Sequence, residues 1–321
     1  MPDYADRIAR LRAAMDAQHV GALFLPVSST LEYFTGIGWP IPNHTEHDRP
    51  GDWVSGMYLG LTEGPVIVEP RMGSAAMVAE VADKPWIADL HVLSELDDYG
   101  AVLARYVTAL RGSGGGRIAL AEHAWAKTAI AARQAAPDAE IINAHDLIWP
   151  LRMVKDEEEQ ALMRAAAQLV DDAYKPILDQ LELGMTKADI ARLVDDTLRA
   201  HGADWTSFHT GIYLGGKAEP GAPSVFEATD RVIEPGGSIA FDFGALLNGY
   251  CSDFGRTVFV GEQTEERWKV YELVMAAQRA AIERMVDGQI TAAQLDDVAR
   301  SIIAAAGYGE RFIHRLGHSI G

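Results

Sequence analysis

Between Arg231 and Gly261 the chain reads RVIEPGGSIAFDFGALLNGYCSDFGRTVFVG, two apolar runs joined through Asn248-Gly249. Asn-Gly favours the positive φ at both central residues that a two-residue hairpin turn needs, so the segment is expected to be two antiparallel strands. A two-residue turn also fixes the register. Leu247 faces Tyr250, Gly244 faces Asp253, and Asp242 faces Gly255. Asp242 and Asp253 then share one face as diagonal neighbours, about 7 Å apart at the backbone, and their carboxylates can converge on two metal ions roughly 3.5–4 Å apart. Acids in so apolar a strand are costly, and two facing acids repel unless a cation, a shared proton or an arginine intervenes. Alternation sends Arg256 to the other face, so a cation is the simplest solution. By spacing alone the two aspartates could equally cap strand ends in solvent.

The rest of the chain divides in two. Ile8, Leu11 and Met15 mark one face of a helix over residues 5–18, and strand-like runs follow at Ala22–Val27, Tyr58–Leu61, Pro65–Val68 and Arg117–Leu120. Helical patterns at 73–82, 97–111 and 123–136 alternate with these strands, which predicts an α/β domain over residues 1–150. The stretch Ile41–Asp52 is polar and turn-rich. His44 and His47 within it could bind a metal, but no Cys or carboxylate spacing supports a site, and a solvated loop is the better reading. From residue 151 onward long helices predominate. The first begins at KDEEEQALM, where the acidic first turn suits the helix dipole; Pro176 should kink it, and Gly184 lies just past its end.

The second half also repeats itself. TKADIARLVDDTLRAHG (Thr186–Gly202) matches TAAQLDDVARSIIAAAG (Thr291–Gly307) in length and apolar spacing; each follows a long helix, with Gly184 and Gly288 shortly before the Thr. Two related units are the reading this favours, although helix pairs can look alike without a shared origin. Asp189, three residues after Thr186, suggests a capping box.

A chain of 321 residues with 48% hydrophobic and 23% charged residues has material for two cores. Its net charge of −18 argues against nucleic acid as a partner. One cysteine, Cys251, rules out an internal disulfide framework; it is expected to be a small buried residue rather than a ligand. No signal peptide or membrane span is evident, so the cytoplasm is expected and a membrane is not a partner.

The string DFGALLNGYCSDFGRT is similar to the D-x-G, then G-Y-x-S-D-x-x-R-T pattern of the pita-bread metallohydrolases, the aminopeptidase P, prolidase and creatinase family. HRLGHSIG at the end resembles that family's H-x-x-G-H-x-I-G segment, RMVKDEEEQALMRAAAQLVDDA resembles the opening of its catalytic domain, and LEYFTGI resembles part of its N-terminal domain. The resemblance implies an RNase H-like α/β N-terminal domain of the creatinase type, followed over residues 151–321 by an α+β pita-bread catalytic domain. It implies that Asp242, Asp253 and His318 are metal ligands and that His314 is an accessory histidine near the substrate. It further implies two divalent metal ions, manganese first among manganese, zinc, cobalt and iron, held by two aspartates, one histidine and two glutamates. A bridging hydroxide would attack an amide carbonyl, with one glutamate moving the proton. The substrate would be an Xaa-Pro peptide or another small amide, and the enzyme a homodimer.

Two departures from the family pattern stand out. From Gly202 the first unit needs 58 residues to reach Val260, whereas 14 residues follow Gly307. The hairpin that carries both family glutamates is missing from this sequence, which reads as truncated. The second departure is Val225, which occupies the position where aminopeptidases of the family carry a substrate-contacting histidine. Either His209 reaches in from an adjacent strand as a second catalytic histidine, or His209 is an ordinary strand residue and the reaction differs. Val225 favours a creatinase-like or ectoine-type amidohydrolase or a lyase; the missing glutamates favour a metal-poor pseudoenzyme or interaction module.

Overall fold

A computed structural model of the chain describes residues 2–38, 50–112, 116–216, 231–286 and 288–321. His44, His47 and Val225 lie outside the described residues. The chain separates into two units, Met1–Glu159 and Gln160–Gly321.

The first unit runs α1 (Tyr4–Ala17), β1 (Val20–Pro26), α2 (Ser29–Thr35), β2 (Gly56–Gly60), β3 (Val66–Pro70), α3 (Ser74–Val81), β4 (Asp89–Leu93), α4 (Tyr99–Arg111), β5 (Arg117–Leu120), α5 (Ala126–Ala135), β6 (Glu140–Asn143) and α6 (His145–Met153). Its six strands form one sheet in the order β4-β3-β2-β1-β5-β6. β1 pairs antiparallel with β2 and parallel with β5, and every residue of β1 is buried. That is why VGALFLP is apolar without alternation: Leu23 and Leu25 enter one core with Ile8, Leu11 and Met15, while Phe24 enters another with Tyr58, Leu103 and Val107. The expected helix over 5–18 and four expected strands are present. Edge strands β4 and β6 are additions. Both expose a charged residue at their start and bury at most one residue, so their sequences lack the unbroken apolar run of a buried strand. Pro150, where the sequence reading ended the first domain, sits inside α6.

The second unit begins within α7 (Glu157–Asp179) and continues with α8 (Lys187–Ala200), β7 (Trp205–Thr206), β8 (Gly211–Gly215), β9 (Ser238–Phe243), β10 (Ala245–Leu247), β11 (Tyr250–Cys251), β12 (Phe254–Phe259), α9 (Glu265–Arg284) and α10 (Ala292–Ala305). Leu169, Val170, Ala173 and Ile177 of α7 recur at helical spacing. They pack with Ile190, Val194 and Leu198 of α8 against Ile212, Leu214, Ile239, Phe241 and Phe243. Each such side chain contributes about 1.5–3 kcal/mol on full burial. β9 alternates half-buried and buried residues, so Phe241 and Phe243 face the helices and Asp242 faces away.

The two halves of the repeat share their capping details. Thr186 and Thr291 are the N-caps of α8 and α10, each 14 residues long, and each closes a full capping box, with Asp189 and with Gln294. Gly202 and Gly307 follow with φ of 98° and 87°, a conformation glycine adopts at low cost. The helices of the second repeat bury little: Ala277, Ala281, Ala299 and Ile303 form a small cluster, while Trp268 and Ile282 of α9 are 47% and 59% exposed. After α10 the described residues 312–321 form neither helix nor strand.

Candidate metal centre

The turn forms as the dipeptide dictates, with φ of 50° at Asn248 and 80° at Gly249. The predicted register holds along the whole hairpin: Leu247 pairs with Tyr250, Leu246 with Cys251, Phe243 with Phe254 and Asp242 with Gly255. One expectation is corrected. The hairpin is not two continuous strands; both arms break at Gly244 and at 252–253, so its tip joins a sheet ordered β11-β10-β7 and its base a sheet ordered β12-β9-β8.

Hydrogen bonds at this break set its shape. Ser252 N–H donates to the Ala245 carbonyl at 2.9 Å, Ala245 N–H donates to the Ser252 hydroxyl at 3.0 Å, and the Ser207 hydroxyl donates to the Ser252 carbonyl at 2.7 Å. A Cβ on Gly244 would collide with the Ser252 carbonyl oxygen and the Ser207 hydroxyl, so the site requires glycine. Asp253 emerges directly from this braced bend.

Asp242 is half-buried on the face away from the helices, and burial first, then the negative charge of Asp253, pushes its carboxyl above the usual carboxylate range; His318 acts in the opposite direction. His318 Nε2 lies 3.1 Å from Asp253 Oδ2, and its Nδ1 lies 3.0 Å from the Ser319 carbonyl oxygen. Both oxygens only accept, so each ring nitrogen faces an acceptor, Nδ1 the Ser319 carbonyl and Nε2 the Asp253 carboxylate. A lone pair on Nε2 and a carboxylate oxygen repel at that distance unless a proton or a cation lies between them. Nδ1 bonded to a carbonyl and Nε2 aimed at hard oxygen donors is how a metal-ligating histidine is held.

These donors fit divalent cations that accept carboxylate and imidazole together. They do not complete a centre. Among the described residues no three His, Cys, Asp or Glu side chains converge closely enough to hold an ion by themselves, and three donors cannot fill two coordination spheres.

The other candidates fall as follows. His314 is exposed, with Nδ1 2.9 Å from the Arg315 carbonyl oxygen, four residues before His318. His209 is not a strand residue; it is exposed in the link between β7 and β8. It stands two residues before Gly211, whose cross-strand partner is Asp242. Cys251 is half-buried in β11 rather than fully enclosed. A residue absent from the sequence reading is Tyr213. A Cβ on Gly211 would lie 3.2 Å from the Tyr213 hydroxyl and 3.3 Å from Asp242 Cβ, so the phenol folds back over Gly211 beside the candidate ligand. The period of two along GIYLG is the signal that could have found it, once β8 was paired with β9.

Residues 7–154 match the model of the creatinase/prolidase N-terminal domain, and residues 161–321 match metallopeptidase family M24. An Xaa-Pro dipeptidase of Lactobacillus helveticus is 39% identical over 187 residues, 58% of this chain and 50% of that protein. An Xaa-Pro dipeptidase of Pyrococcus furiosus is 36% identical over 176 residues, 55% of this chain and 49% of that protein. The matched stretch thus spans about half the length of these relatives. A crystal structure of recombinant prolidase from Thermococcus sibiricus superposes with a TM-score of 0.85 at 26% identity, covering 100% of this chain and 83% of that one. The fold is that of a creatinase-type N-terminal domain followed by a pita-bread catalytic domain. On the match over residues 161–321, half of its length, the chain belongs to metallopeptidase family M24.

Proposed function

We propose that this chain is the metal-dependent hydrolase of Xaa-Pro peptides that its relatives' names describe, with Asp242, Asp253 and His318 as metal ligands. The observation that carries the reading is that Asp242 and Asp253 lie close enough for their charges to act on each other, with His318 Nε2 3.1 Å from Asp253. Bound divalent cations, two in number and manganese first, would supply Lewis-acid polarisation of the scissile carbonyl and acidify a water. Asp242 in β9 and Asp253 at the break between β11 and β12 would hold the cations, and His318 would offer its Nε2 from the segment that follows α10. His314 is a hydrogen-bonding partner for the substrate amide. His209, in the link that leads to β8 and two residues before the cross-strand partner of Asp242, would approach the substrate from that side. The Tyr213 hydroxyl gives that side a further donor.

The same reading takes the enzyme to be a cytoplasmic homodimer. One cysteine in the chain supports a reducing compartment, and among the described residues no helix is long and apolar enough to cross a membrane. Light scattering tests the dimer.

Val225, in the place of the family histidine, favours a second reading in which the substrate is a small amide of the creatine or ectoine type, or the reaction is a lyase step. A panel of Xaa-Pro dipeptides against such amides, each with Mn²⁺, separates the two. The first reading expects proline release from the dipeptides, slow because three donors leave two coordination spheres unfilled, that disappears in Asp253→Ala. Turnover of the amides with none of the dipeptides would replace it with the second.

A further inference from the structure

The segment that carries His314 and His318 has no strand or helix of its own, yet it brings His318 to Asp253. Its path is set from α10. Arg300 binds the Asp296 carboxylate through Nε at 2.7 Å and Nη2 at 3.1 Å. The same guanidinium donates from Nη1 to the Phe312 carbonyl at 2.8 Å and from Nη2 to the His314 carbonyl at 3.0 Å, and it lies over the Phe312 ring at 4.5 Å. Asp296 Oδ1 in turn accepts the Leu316 N–H at 2.7 Å. One ion pair therefore grips the backbone at residues 312, 314 and 316. The planar fork of arginine, with five donors, makes this possible; an ammonium on a flexible stem cannot match it.

The internal repeat supplies a second, independent observation. Counted from the N-caps Thr186 and Thr291, Arg300 takes the helix position of Asp195, nine residues on, and His314 takes the position of His209, twenty-three residues on. Asp195 accepts the Thr210 hydroxyl at 2.5 Å, one residue after His209. A carboxylate and a guanidinium are chemically opposite, yet each holds the histidine-bearing segment of its own repeat. An ion pair serving helix stability alone would not explain this, because Asp296 has no charged counterpart in the first repeat, where Ala191 stands.

We propose that Arg300, oriented by Asp296, is a positioning residue that holds the segment 312–316 so that His318 Nε2 faces Asp242 and Asp253, with His314 beside it. The inference rests on reading those three residues as divalent-cation ligands, and its test separates the two claims. The His318 ring nitrogens are followed by NMR in metal-free, ¹⁵N-histidine-labelled protein, assigned with His318→Gln, and Mn²⁺ is then titrated calorimetrically. Arg300→Ala is expected to lose the hydrogen-bonded Nε2 signal and to weaken Mn²⁺ binding roughly tenfold or more, as removal of a partner behind a ligand does. The far-UV circular dichroism stays that of the unaltered chain, and ethylguanidinium restores both readouts. Arg300→Lys keeps the charge without the fork and falls between. Ring signals unchanged in Arg300→Ala would overturn the proposal, as would losses in both variants that track helix unfolding and resist ethylguanidinium. If the unaltered chain takes up no Mn²⁺, the ligand reading fails, and the metal-free ring signals alone decide the positioning role.

Discussion

Replacing Gly244 by alanine probes the bend that presents both aspartates. The added Cβ meets the Ser252 carbonyl oxygen, which is backbone, and the Ser207 hydroxyl, which is already engaged in donating to that same carbonyl. Neither is the loose end of a flexible side chain, so the two arms must separate. Overpacking of this kind costs about 1–3 kcal/mol, and loss of the Ser207–Ser252 hydrogen bond adds about 1 kcal/mol. A total of about 2–4 kcal/mol corresponds to a fall in Tm of roughly 5–15 °C for a domain of this size. Gly255→Ala is the internal control, because the nearest atom to its Cβ is the Phe241 carbonyl oxygen at an ordinary 3.8 Å. Thermal unfolding followed by circular dichroism reads both. Gly244→Ala should melt well below the unaltered chain, with Gly255→Ala within about 2 °C of it. If Gly244→Ala melts no lower than Gly255→Ala, the bend is not held as described.

Asp242→Asn should raise Tm at neutral pH in the presence of a chelator. The folded chain binds a proton at Asp242 more tightly than the unfolded chain does, so ionised Asp242 lowers stability once pH rises through its raised folded-state value. The advantage of Asn should close below the ordinary aspartate value of about 3.9, and melting curves across pH that show Asn less stable at neutrality would contradict the assignment. The capping boxes make a paired prediction. Thr186→Ala and Thr291→Ala should each cost about 1 kcal/mol by denaturant titration, and a loss in one helix alone would argue against equivalent caps. Superposing 155–260 on 264–321 should pair Gly202 with Gly307; an alignment that fails to do so removes the duplication.

The hairpin was legible because its chemistry is local. Asn248-Gly249 sets the turn by its own backbone preference, and a period of two then carries the register six residues outward along each arm, to Asp242 and Gly255. The break at Gly244 was not legible, since it depends on Ser207, a residue 45 positions from Ser252 that no local pattern links to it. The same distinction separates β1, whose unbroken apolar run signals a strand buried on both faces, from β4 and β6, which are strands because a neighbour offers them hydrogen bonds. At the site, residue type and spacing singled out Asp242, Asp253 and His318. The Asp296–Arg300 grip on the histidine segment arises from tertiary contacts and left no pattern to read, whereas the Tyr213 phenol beside Gly211 follows from the period of two along β8 only once that strand is paired with β9.

The central claim is that Asp242, Asp253 and His318 bind divalent metal. Crystals of the chain soaked in Mn²⁺, with diffraction recorded on both sides of the manganese absorption edge, test it directly. The account predicts an anomalous peak between Asp242 and Asp253, within about 2.0–2.3 Å of carboxylate oxygens and of His318 Nε2, that is absent from Asp253→Ala. Manganese bound elsewhere with those three side chains left unliganded would contradict it.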